Sequence, residues 1–274
     1  MESWLGNGPV GTAGGWHPFV ETYALPRLPA LASANPDEEG WRQAERFARA
    51  LAEGRDPFAG ETGELRLARR DAQGTLLPFR LIVPPGEAKR PVVVLLHSFM
   101  GDEGTWFHTL SGGTLAELAA RHNALVFCPL NPIPFADPTP QRAEELEKTV
   151  AELADAFGGN RERVYLAGHG TAASEALVYG LGRKPAYTAV AAVAGAPPGL
   201  FDTKPGVDVP TLFVYSDADE VAPESELRKW AAYVDTRLKR GKSERLAKLS
   251  HVETARAALP KLFAFFLGAE AARP

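Results

Sequence analysis

The pattern of apolar positions along the chain changes after Pro91. From there on, short apolar runs are continuous rather than alternating, and each is followed by a stretch with helical spacing; the runs are 92–96, 125–128, 164–167, 190–193 and 212–215. Continuous apolar strands that alternate with helices are typical of a parallel sheet buried on both faces. The sequence therefore predicts an α/β fold, with a mainly parallel sheet and with helices on both faces near 115–121, 142–157, 172–181, 224–239 and 253–267.

The chain before this region has a different character. Residues 1–34 are rich in Gly, Pro and aromatic residues without a clear period, which predicts an irregular arm that packs Trp4, Trp16 and Phe19 onto the body. Asn35 and Pro36 then provide an N-cap and a first-turn proline for an amphipathic helix that ends near Gly54. We therefore predict an arm and a helix over residues 1–62 and one α/β domain over residues 63–274.

The predicted domain begins with two extended segments, 64–70 and 76–83. They are separated by Asp71-Ala-Gln-Gly, which has the turn chemistry of a β-hairpin. Further on, the connection from Pro197 to Val209 is too short to hold a lid domain. We expect no lid domain and a rather open site.

Composition and charge narrow the classes of partner. The 274 residues are 45% hydrophobic and 23% charged, as in an ordinary globular protein, and the net charge of −4 comes with no basic stripe that would bind nucleic acid. We expect a small, roughly neutral ligand and no cofactor.

The single cysteine, Cys128, lies in an apolar run and is expected to be buried. The N-terminus lacks signal-peptide features and no run reaches the about 18 apolar residues of a membrane span, so we expect a soluble cytoplasmic protein, although a removed signal would leave no trace.

The segment 163–173, Arg-Val-Tyr-Leu-Ala-Gly-His-Gly-Thr-Ala-Ala, carries the most chemical information. A strand that runs through a tight turn into a helix is the setting of the G-x-S-x-G nucleophile elbow, where the turn lifts a serine hydroxyl above the sheet. Gly168 and His169 occupy the first two places, Gly170 occupies the serine place, and Ala172 replaces the last glycine. The elbow geometry is kept, and its nucleophile is missing.

With this segment and with Leu96-His-Ser-Phe-Met-Gly-Asp-Glu103, the sequence from about Gly63 onward resembles the α/β-hydrolase family, in particular its compact esterases and peptidases. The resemblance implies the α/β-hydrolase fold and an oxyanion hole made by the backbone N–H groups of Phe99 and Thr171. The first loop of the family reads His-Gly, whereas Ser98 stands in the glycine place here. We interpret Ser98 as a turn residue rather than a catalytic one.

The resemblance also implies an acid and a base. Asp219, in the loop Val214-Tyr-Ser-Asp-Ala-Asp-Glu-Val-Ala-Pro, matches the acid that orients the catalytic histidine, and Asp217 is the weaker candidate. The chain order of the family is nucleophile, acid, histidine, and His251 is the histidine that follows Asp219. A lone surface histidine is the alternative interpretation of His251, and its order and context favour the catalytic position.

Other residues are weaker candidates for chemistry. Thr171 is one place past the elbow position, and Ser174 lies one helical turn further, so neither is well placed as a nucleophile. His97 and His169 would have to join His251 in a metal site, but no acidic or cysteine ligand spacing accompanies them. We therefore expect no metal.

The sequence thus predicts an esterase-like protein without the catalytic serine, inactive or very weak as a serine hydrolase, that binds a small ester or acyl ligand. Its history is either natural loss of catalysis or alteration of an active carboxylesterase. An alternative is an enzyme that uses Asp219 and His251 as a general-base dyad without a covalent intermediate. Loop residues expected to border the ligand are Phe99, Met100, Trp106, Ile133 and Phe135.

Overall fold

The computed structural model describes residues 16–18, 38–70, 76–86, 88–98, 101–130, 139–182, 187–197 and 208–268. The strands of this part are β1 (Trp16–Pro18), β2 (Gly63–Arg70), β3 (Leu76–Val83), β4 (Arg90–Leu96), β5 (Leu125–Pro129), β6 (Gly159–His169), β7 (Ala189–Val193), β8 (Thr211–Ser216) and β9 (Gly241–Leu246). They form one sheet in the order β1-β2-β3-β5-β4-β6-β7-β8-β9. The pairs β1–β2, β2–β3 and β3–β5 are antiparallel, and the remaining pairs are parallel.

Helices cover both faces of the sheet, as predicted. They are α1 (Glu38–Ala52), α2 (Thr105–His108), α3 (Leu115–Arg121), α4 (Pro140–Ala156), α5 (Thr171–Leu181), α6 (Glu224–Arg237) and α7 (His251–Leu267). Apolar side chains of α1, α4, α5 and α6 share one core cluster with one face of the sheet. Those of α2, α3 and α7 share a second cluster with the other face. Because both faces are covered, every residue of β4, β7 and β8 is buried.

The continuous apolar runs are the central parallel strands, and the hairpin segments are β2 and β3. Strand β9 was not predicted, because Gly-Lys-Ser-Glu-Arg-Leu has no apolar run. It lies at the edge of the sheet, and its residues are partly or fully exposed, so polar side chains are compatible with its pairing to β8. Cys128 is buried as expected, and burial raises the pKa of its thiol well above the usual value.

The region before residue 63 is joined to the sheet in two ways. Trp16 belongs to β1, which pairs with β2, although the sequence predicted an irregular arm there; Trp4 and Phe19 lie outside the described residues. In α1, the Phe47 side chain is fully buried in the first core cluster. Gln43 donates to the carbonyl oxygen of Glu64 and accepts from the backbone N–H of Arg66. The division of the chain at residue 62 stays a prediction.

Two further features concern the surface of the described part. No lid domain covers the carboxyl ends of its strands, in agreement with the prediction. Among the helices described, none is long and apolar enough to cross a membrane.

Candidate active site

The candidate site begins at the sharp turn between β6 and α5. Strand β6 ends at His169, Gly170 follows with φ 58° and ψ −120°, and α5 begins at Thr171. A Cβ at Gly168 would overlap the backbone of Ala172, and one at Gly195 would overlap the backbone of Gly170. The strand-turn-helix context predicted for residue 170 is therefore present, and the glycines allow the segments to approach closely.

Asp219 and His251 lie next to each other at this edge of the sheet. The Nδ1 atom of His251 is 3.0 Å from Oδ1 and 2.9 Å from Oδ2 of Asp219. Only 1% of the Asp219 side chain and 10% of the His251 side chain are exposed. Burial opposes ionisation of Asp219, but hydrogen bonds from His251 and from the backbone N–H groups of Ala222 and Val221 outweigh it and lower its pKa. An ionised Asp219 thus holds the imidazole with Nδ1 towards the carboxylate and leaves Nε2 for the site.

The loop that carries the acid also fixes the backbone that carries the histidine. Glu220 accepts a hydrogen bond from the N–H of His251 at 2.9 Å, and Ser216 accepts one from the N–H of Leu249 at 3.0 Å. Asp217, the weaker acid candidate, accepts from the N–H of Lys248 at 2.7 Å. Asp217 therefore has a partner in the histidine loop, away from the imidazole. Glu220 had no recognised role in the sequence, and its position directly after Asp219 was the available signal.

The start of α7 sets the position of His251 on the chain. Ser250 is the N-cap, and its side chain accepts from the N–H of Glu253, whose carboxylate accepts from the N–H of Ser250. This capping box starts the helix at His251, two residues earlier than the sequence predicted. The pattern Ser-x-x-Glu was the signal for this start.

Ser98 reaches the elbow, which its interpretation as a turn residue did not foresee. Its Oγ accepts a 3.3 Å hydrogen bond from the backbone N–H of Thr171 and lies 3.4 Å from Thr171 Oγ1. A Cβ placed on Gly170 would overlap Ser98 Oγ. The same Cβ would lie 3.0 Å from Ser98 Cβ and 3.0 Å from His251 Nε2. Ser98 and the imidazole are therefore neighbours around the empty side-chain position of Gly170.

The hydrogen bond from the N–H of Thr171 to Ser98 Oγ involves one donor of the predicted oxyanion hole. The other predicted donor, Phe99, lies outside the described residues, as do Met100, Ile133 and Phe135. The oxyanion hole stays a prediction.

Trp106 was expected on a loop that borders the ligand, but it lies in α2 and is 1% exposed. Its indole N–H donates to the carbonyl oxygen of Leu96, and its ring lies edge-on to His169 with centroids 6.1 Å apart. The apolar indole is thus packed beneath the elbow, where it supports His169.

His97 and His169, the other two histidines considered as metal ligands, are buried near the site. His169 packs against His251 with ring centroids 4.3 Å apart, and its Nε2 is 3.3 Å from the backbone oxygen of His251. Burial and the neighbouring imidazole lower the pKa of His169 to about 3. Burial also lowers the pKa of His97, whose Nδ1 lies 2.8 Å from the backbone oxygen of Ser98. The described residues contain no group of three or more His, Cys, Asp and Glu side chains arranged to hold a metal ion.

The order of the sheet and the helices on both of its faces define an α/β fold. No family model matches the chain, and no curated protein matches its sequence. Among solved structures, it is similar to the S-formylglutathione hydrolase FrmB of Staphylococcus aureus, with 11% identity, a TM-score of 0.62, and coverage of 76% of this chain and 100% of that one. An S-formylglutathione hydrolase of Agrobacterium tumefaciens gives 17% identity, a TM-score of 0.59 and coverage of 76% and 97%.

A Pyrobaculum calidifontis esterase is similar over 84% of this chain and 92% of its own, with 16% identity and a TM-score of 0.56. At such identities, the likeness shows the fold. The chain has the α/β-hydrolase fold, which it shares with these esterases and hydrolases.

Proposed function

We propose that the protein binds a small carboxylic ester or acyl ligand beside His251 and hydrolyses simple esters very slowly, because residue 170 supplies no nucleophile. The observation that carries the proposal is the ordered Asp219–His251 pair directed at a glycine. In the ordinary mechanism, the histidine takes a proton from the elbow serine, and loss of that serine leaves only a modest residual acceleration. Esterases and hydrolases with the same fold support the ligand class.

The first test is hydrolysis of p-nitrophenyl acetate and butyrate by the purified chain. We expect a rate slightly above the buffer control, far below the about 10 s⁻¹ typical of enzymes. His251→Ala should remove this excess, whereas His108→Ala, which changes an exposed histidine, should keep it. Binding of butyranilide, an amide analogue that resists hydrolysis, should be detectable by calorimetry in the unaltered chain. An absence of binding together with an ester rate that is independent of His251 would contradict the proposal.

A second function is favoured by the quality of the Asp219–His251 pair. With Nδ1 held by both carboxylate oxygens, His251 can act as a general base that takes a proton from water attacking a bound acyl group. No covalent intermediate forms on this route. Fast hydrolysis by the Gly170 protein, lost in His251→Ala and without an initial burst of p-nitrophenol, would favour it over the first.

A further inference from the structure

Two of the departures from the family pattern, at residues 98 and 170, are reciprocal. Where the resemblance implies glycine in the first loop, the chain has Ser98, and where it implies the elbow serine, the chain has Gly170. The structure brings these two positions into contact, since a Cβ on Gly170 would overlap Ser98 Oγ. The site has therefore kept one serine hydroxyl next to the elbow, and this hydroxyl comes from the opposite side of the turn.

We propose that Ser98 is a relocated nucleophile, whose Oγ attacks the acyl carbon of an ester with His251 as the base. The inference deepens the proposed function and rests on it, since it requires an ester ligand beside His251. Three observations carry it: the N–H of Thr171 donates to Ser98 Oγ, and both Ser98 Cβ and His251 Nε2 lie 3.0 Å from the point where a Cβ of residue 170 would be. Nucleophile and base are often further apart in unliganded sites than in the reacting complex.

The reaction balances with the groups at the site and one water molecule. The Ser98 hydroxyl gives its proton to Nε2 of His251 while Oγ bonds to the acyl carbon, and the C–O bond to the alcohol breaks as the alcohol takes the proton from His251. Water then attacks the acyl-Ser98 ester, giving one proton to His251. The carboxylic acid leaves, and Ser98 Oγ regains a proton from His251. Asp219 stays ionised throughout and orients the imidazole.

The same geometry predicts slow turnover. The N–H of Thr171 binds the nucleophile oxygen, so it is engaged at the start of the reaction and is less available to a developing oxyanion. Loss of one oxyanion donor costs roughly 10²–10³-fold in rate in enzymes that use such a hole. A nucleophile at Ser98 should therefore acylate slowly, which is the slow ester hydrolysis proposed above.

Competing hydroxyls are less suitable. Ser174 lies within α5, a full turn past the elbow, whereas Ser98 Oγ lies at the elbow itself, hydrogen-bonded to the N–H of Thr171. Thr171 Oγ1 lies 3.4 Å from Ser98 Oγ, and its residue is the first of α5, whereas Ser98 Oγ is the atom that a Cβ on Gly170 would overlap. Ser174→Ala is consequently a matched control for a change at Ser98.

The test is covalent labelling of the folded chain with a fluorophosphonate, followed by intact-mass measurement and peptide mapping. Serine displaces fluoride from phosphorus, so labelling needs a nucleophile and a base but no deacylation. We expect one phosphonyl group per chain, on Ser98, with the labelling rate reduced at least about 100-fold in Ser98→Ala and in His251→Ala. Ser174→Ala should be labelled like the unaltered chain. Labelling at another residue, or none in the unaltered chain, would overturn the relocation.

A second variant keeps the proposal testable if Ser98→Ala is poorly folded. In Ser98→Cys, iodoacetamide should alkylate residue 98 at a rate that falls at least about 10-fold when His251→Ala is added, because the imidazole favours the reactive thiolate. Cys128 is buried and serves as the internal unreacted thiol. Equal alkylation with and without His251 would overturn the relocation. Ester binding and His251-dependent hydrolysis without a label on Ser98 would leave the proposed function standing, with water as the attacking group.

Discussion

Gly170 adopts φ 58° and ψ −120°, a conformation that residues with a side chain rarely take. A serine at position 170 would be held under backbone strain of about 1–3 kcal/mol, which the glycine does not experience. The sequence predicts that residue 170 supplies no nucleophile, because the elbow motif assigns this place to serine and the chain has glycine there. It did not show that Ser98 occupies the adjoining space, since that depends on how two loops distant in sequence meet.

The overlap at residue 170 predicts that Gly170→Ser alone restores little. Its Cβ meets Ser98 Oγ and lies 3.0 Å from Ser98 Cβ, so Ser98 must turn away from the elbow and give up the N–H of Thr171. Ser98→Gly/Gly170→Ser removes the overlap and recreates the ordinary order of the two residues. We expect kcat/KM for p-nitrophenyl butyrate to be on the order of tenfold or more higher in the double variant than in Gly170→Ser, since small misplacements of a nucleophile are costly. Equal rates would mean that Ser98 does not obstruct the elbow.

At the level of elements, the sequence foresaw the central strands and most helices, because continuous apolar runs and helical periodicity are strong signals. It missed β1, β9 and α2. Strand β9 is polar because it lies at an edge, and α2 has only four residues. Two hydrogen bonds join the loop after β8 to the start of α7. The backbone N–H of Leu249 donates to the Ser216 hydroxyl, and the backbone N–H of His251 donates to the Glu220 carboxylate. Such ties leave little trace in a single sequence.

The capping box at α7 gives a prediction for this element. Ser250→Ala removes the acceptor of the Glu253 N–H and should lower the free energy of unfolding by about 1 kcal/mol. Ser250→Asp, whose carboxylate also caps a helix, should retain most of the stability. Urea unfolding followed by circular dichroism measures both. If Ser250→Asp is destabilised as much as Ser250→Ala, the cap is not the source of the effect.

For the whole molecule, the site lies where the carboxyl ends of β4, β6 and β8 reach the same edge of the sheet, which is where open α/β folds bind ligands. Chain order and fold were sufficient to predict that Gly170, Asp219 and His251 belong to one region, although their catalytic role remains a prediction. The fold has a further consequence for acid stability. It buries His169 directly beneath this region, with Nδ1 lacking a hydrogen-bond partner among the described residues.

We therefore expect the free energy of unfolding to fall on acidification already at pH values well above those at which carboxylates titrate. The pKa of His169 is lowered to about 3 in the folded chain, by burial first and by His251 second, from an ordinary value of 6.5. Between these values the unfolded chain binds a proton that the folded chain does not, so stability falls as pH falls, by up to about 1.4 kcal/mol per pH unit from this residue. The ionisation of Asp219 affects stability at lower pH than that of His169. Its stabilising effect is present above the pKa of Asp219 in the unfolded chain and is lost only as pH falls through its lowered pKa in the folded chain.

His169→Gln, which does not titrate, should flatten the dependence of the free energy of unfolding on pH between 6.5 and about 4.5. His108→Gln, at an exposed position, is the control, and an unchanged slope in His169→Gln would show that His169 is not the group that is protonated on unfolding.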